Sequence, residues 1–95
     1  MPIREDRPAE KPRAEQAEIL ALQMVQFLLG DETNAAGFLG ATGVSPEDLR
    51  QRINELDFLG GVIDYMLGRE DLLTAFCLQQ AVEPTLPARL RAALP

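Results

Sequence analysis

The 95-residue sequence contains no histidine, and cysteine occurs once, at Cys77. The missing histidine removes the side chain that most often serves as general base or metal ligand near neutral pH. A lone cysteine excludes a disulfide within the chain and any Cys/His metal-ligand spacing. Lysine is nearly missing too, since eight of the nine cations are arginine and only Lys11 departs from this. No run approaches the ~20 apolar residues that a membrane-spanning helix needs. The opening Met1-Pro2-Ile3-Arg4-Glu5-Asp6 lacks the apolar segment of a secretory leader. The expectation is a cytoplasmic protein with no membrane partner.

Positive charge is scarce as a whole. Nine basic residues face fifteen acidic ones, a net charge of −6, so the mean field repels phosphate backbones and anionic lipid. Nucleic acid is therefore disfavoured as a partner. With 46% hydrophobic and 25% charged residues, the chain has the composition of a folded protein rather than a disordered one. Its length suits one domain around one core.

Residues 1–13 carry Pro2, Pro8 and Pro12, mixed charges and a single large apolar residue, Ile3. Such a stretch does not offset the entropy of ordering, which predicts a flexible N-terminal tail ahead of one helical domain over 14–95. From Ala14 onward Ala17, Leu20, Ala21, Met24, Phe27 and Leu28 recur at i, i+3, i+4, i+7 spacing, the signature of an amphipathic helix. Gly30 suits a left-handed stop and Asp31 a cap for a second helix that places Ala35, Phe38 and Leu39 inward and ends at Gly43. Ser45-Pro46-Glu47-Asp48 is a strong helix start, with a capping hydroxyl, a proline of preset φ and two acids at the positive end of the dipole. The third helix turns Leu49, Ile53 and Leu56 inward. Asp57 is expected to cap a fourth, whose stripe of Phe58, Leu59, Val62, Ile63, Met66 and Leu67 makes it the most buried before Gly68 stops it. A fifth helix over Arg69 to Ala81 presents Leu72, Leu73, Phe76 and Cys77. A short sixth, capped by Thr85, carries Leu86, Leu90 and Leu94. No segment alternates with period two, so no sheet is expected.

Shifted by thirty-eight residues, the chain matches itself at Leu29/Leu67, Gly30/Gly68, Glu32/Glu70, Phe38/Phe76, Val44/Val82 and Pro46/Pro84. The pattern predicts two pseudo-repeated three-helix halves that close over a shared core, in a compact all-α bundle of about six short helices. Gly60 and Gly61 stand opposite Leu22 and Gln23 and break this symmetry. Each glycine inside a helix costs about 1 kcal/mol relative to alanine, so Gly37, Gly40, Gly60 and Gly61 mark either close helix packing or a contact surface for a partner.

Phe27-Leu28-Leu29-Gly30-Asp31-Glu32, Phe38-Leu39, Thr42-Gly43-Val44-Ser45-Pro46, Leu49-Arg50, Phe58-Leu59, Val62-Ile63-Asp64-Tyr65, Leu72-Leu73 and Phe76 together resemble a small uncharacterised all-helical family of proteobacteria, over about residues 17–90. The resemblance implies helices and a bacterial cytoplasmic setting. It implies no catalytic or binding residues, because the family is a domain of unknown function.

Chemistry finds little support. Cys77 follows Phe76 on an apolar stripe, with no imidazole to activate it, and reads as a buried inert thiol. The pairs Asp31-Glu32, Glu47-Asp48 and Glu70-Asp71 each fall in a first helical turn, where the dipole already accounts for them. No calcium loop or glycine-rich phosphate cradle is present. Phe38 to Ile53 does resemble a DNA-binding helix-turn-helix, with Arg50 and Arg52 able to reach DNA, but its second helix opens on two acids. The sequence thus predicts a non-catalytic interaction or accessory domain with no cofactor and no metal, binding an unknown protein partner or a second copy of itself. The alternative is a divergent helix-turn-helix regulator.

Overall fold

The computed structural model describes residues 10–95. These residues form six α-helices and no strand: α1 Glu10–Leu29, α2 Glu32–Thr42, α3 Pro46–Arg52, α4 Leu56–Leu67, α5 Glu70–Gln80 and α6 Leu86–Arg91. The all-α class is that of the hydrophobic periodicity. Residues 1–9 of the expected tail lie outside the described residues. Its last four do not behave as tail, because α1 already begins at Glu10. Pro12 is tolerated there since the first four N–H groups of a helix have no intrahelical acceptor to lose.

α1 and α4 form the central pair. α2 lies against α1, α5 against α4, and α6 packs against both α1 and α4. Met24, Leu28, Phe38, Leu59, Val62, Ile63, Met66 and Phe76 are fully buried, and among the described residues no polar or charged side chain is buried with them. Each such apolar side chain contributes roughly 1.5–3 kcal/mol by leaving water. α4 is the most buried helix, as its stripe predicts, with Phe58, Leu59, Gly60, Val62, Ile63 and Met66 inside. Leu56 differs from expectation: it opens α4 instead of ending α3, and it is exposed.

The helix ends show which local signals decide and which do not. Asp31 accepts the Asn34 N–H at 2.9 Å, and Ser45 accepts the Asp48 N–H at 3.2 Å with Pro46 at the first helical position. Asp57 does not cap α4; it sits inside the first turn and accepts the Phe58 N–H. Thr85 precedes α6 without a capping bond. The left-handed stops also fall elsewhere than glycine alone suggests. Gly43 is left-handed (φ 71°) with its N–H on the Leu39 carbonyl, whereas Gly68 stays right-handed (φ −84°) and Gly30 has no positive φ. The second left-handed stop is Ala81 (φ 55°), with its N–H on the Cys77 carbonyl. Ala81 stands thirty-eight residues after Gly43, and Cys77 thirty-eight after Leu39.

The same offset relates the ends of α1 and α4 and both ends of α2 and α5. It also relates two tertiary contacts. Phe27 of α1 meets Phe76 of α5 edge-on at 5.6 Å, and Tyr65 of α4 meets Phe38 of α2 edge-on at 5.5 Å. The correspondence stops at the third helices, since α6 begins two residues past Pro84 whereas α3 begins on Pro46.

Besides its buried Pro87 and Leu90, α6 is tied to α4 by a clamp. Arg91 donates through Nε and Nη2 to the two carboxylate oxygens of Asp64, at 2.8 and 3.1 Å. Its Nη1 donates to the Leu94 carbonyl at 2.9 Å. Donating these hydrogen bonds to the Asp64 carboxylate raises the Arg91 pKa above its usual value. Gly60 makes room for this: a Cβ there would lie 2.8 Å from the Pro95 carbonyl oxygen and 3.0 Å from the guanidinium.

Candidate functional site

The four glycines singled out from the sequence do not meet. A Cβ on Gly37 would touch only the Tyr65 hydroxyl, at 3.5 Å, and Gly40 and Gly61 have nothing within 4 Å. Gly60 is buried under the C-terminal residues rather than against α2. Gly61 lines a shallow cleft of about 270 Å³ with Thr42, Val44, Arg52, Asp57 and Phe58. The small residues therefore serve separate local ends, and only Gly60 is required by a close approach.

Of the two arginines placed for DNA, Arg52 is engaged within the fold. Its Nε donates to Glu55 at 2.9 Å, and its guanidinium lies 5.0 Å from the centroid of the Phe58 ring. Arg50 is exposed and forms no ion pair among the described residues. α3 is seven residues long, with Glu47 and Asp48 in its first turn. The acids of the first turns do local work: Asp31 caps α2, and Arg69 holds the Asp71 carboxyl below the usual carboxylate range by hydrogen bonding. Among the described residues no three His, Cys, Asp or Glu side chains come together as a metal site. None of the described helices is long and apolar enough to cross a membrane.

A surface absent from the sequence prediction lies along α5 and the α1–α6 seam. Leu73, Thr74, Cys77 and Leu78 of α5, with Glu70, Val82 and Pro84, line a largely apolar cleft of about 370 Å³. A second cleft of about 200 Å³ is lined by Gln16, Ile19, Leu20 and Gln23 of α1 and by Val82, Leu86 and Leu90. Val82 lines both, so the two clefts share one wall at the α5–α6 connection; the pair, spread over α5, that connection and the α1–α6 seam, is called the trough below. Cys77 is buried at its floor, and burial pushes the thiol pKa up. That opposes formation of the reactive thiolate. The rim holds two large apolar side chains in water, Leu78 at 80% exposure and Ile19 at 56%.

Leu78 is the informative one. Thirty-eight residues earlier stands Gly40, three positions before the left-handed Gly43 just as Leu78 is three before the left-handed Ala81. Gly40 carries no side chain and a Cβ there would meet nothing within 4 Å, whereas Leu78, at the same distance from its own left-handed stop, is a leucine left in water. Leu73 and Thr74 likewise stand thirty-eight residues after the smaller Ala35 and Ala36. The signal was present in the sequence. Leu72, Leu73, Phe76, Cys77 and Leu78 make an arc wider than one helix face needs for a core, but only the packing reveals which edge of the arc is left over.

A family model described as "Protein of unknown function (DUF3572)" matches residues 14–95, and the chain belongs to that family. No curated protein and no solved structure matches the chain. The match spans all six helices except the first four residues of α1, so both the trough and the clamp fall inside the family domain.

Proposed function

We propose that the domain is a non-catalytic protein-interaction module that binds its partner along the trough formed by α5, the α5–α6 connection and the α1–α6 seam. The observation that carries this is Leu78, exposed beside an apolar cleft at a position that Gly40 occupies in the other half. A large aliphatic side chain gains nothing by standing in water. Beside a concave apolar lining it supplies the anchor that buried interface cores use. Non-catalytic action is supported by the buried, unactivated state of Cys77, the one nucleophilic thiol. The reading is favoured over DNA binding because Arg52 is tied to Glu55 and Phe58, and the first turn of α3 is acidic.

Parallel affinity purification of the tagged protein and its Leu78→Gln variant from the native host tests the proposal. Proteins retained by the wild type and lost with the variant are the expected result. Retention of one identical set by both would overturn it. We further infer that the two halves derive from one three-helix unit; the reciprocal aromatic pairs and the matched helix boundaries support this. Halves that fail to superpose in an experimental structure would remove it.

A further inference from the structure

We draw no further inference here: the strongest candidate, the pair of apolar clefts along α5 and the α1–α6 seam with Leu78 exposed beside them, belongs to the surface already described, and nothing in the structure shows what covers it.

Discussion

α3 and α6, the short helices that follow the two left-handed stops, are held by different means. α3 begins on a well-formed local signal, the Ser45 cap and Pro46, and rests on Leu49 and Ile53 at the margin of the bundle. α6 has no capping bond, yet it packs against both α1 and α4 and is clamped by Arg91 on Asp64 above Gly60. The residues of α1 that correspond to Gly60 and Asp64 are Leu22 and Gln26, and both are exposed. Local chemistry can thus start a helix that tertiary structure holds loosely, while tertiary contacts can secure one that starts poorly. In this position α6 also builds one wall of the trough, which the first half has no means of forming.

The sharpest way to break the comparison is at the core, where the halves are expected to be equivalent. Phe38→Ala and Phe76→Ala each remove a fully buried ring and should each cost about 3–5 kcal/mol in urea unfolding. A cost below about 1 kcal/mol for either would show that its ring anchors nothing. Next comes the glycine pair on α4. Gly60→Ala should destabilise by about 1–3 kcal/mol, because its Cβ displaces the Pro95 carbonyl and the Arg91 head. Gly61→Ala meets nothing and should stabilise by up to about 1 kcal/mol through helix propensity; equal effects at the two sites would contradict the C-terminal clamp.

The two left-handed stops should respond oppositely to exchange. Gly43→Ala is expected to cost about 1 kcal/mol and Ala81→Gly to gain roughly 0.5–1 kcal/mol, since only glycine takes positive φ without Cβ strain. Thermal melts showing no gain for Ala81→Gly would mean that the second stop is unstrained. The smallest change in global stability belongs to Asp64→Asn. The pair it breaks is partly exposed, so about 0.5–1 kcal/mol is expected after screening. Hydrogen exchange should nonetheless quicken in α6 and leave α3 unchanged.

Much of the architecture was legible because it is periodic. The stripes of α1 and α4, the Asp31 and Ser45 caps and the thirty-eight-residue offset follow from spacing alone. Prediction failed where a residue had two local uses. Gly30 and Gly68 looked like left-handed stops and are not, because the next N–H groups, of Asp31 and Arg69, bond back three residues to the Leu28 and Met66 carbonyls and so continue the turn without a positive φ. Asp57 looked like a cap and lies inside the helix it was expected to start. The glycines predicted as a contact surface were read from their lack of side chains, which does not say what fills the space. The trough was invisible because its walls come from three separate parts of the chain.

The amino-acid order by itself determined six helices, their stripes and most of their ends, since hydrogen bonding and amphipathic spacing act within a few turns of chain. Only the folded packing decided that the C-terminal residues cover Gly60, that α6 rather than α3 packs on both central helices, and that Leu78 is left in water beside a cleft. Those outcomes depend on which surfaces remain after long-range burial is complete, and no local pattern carries that information.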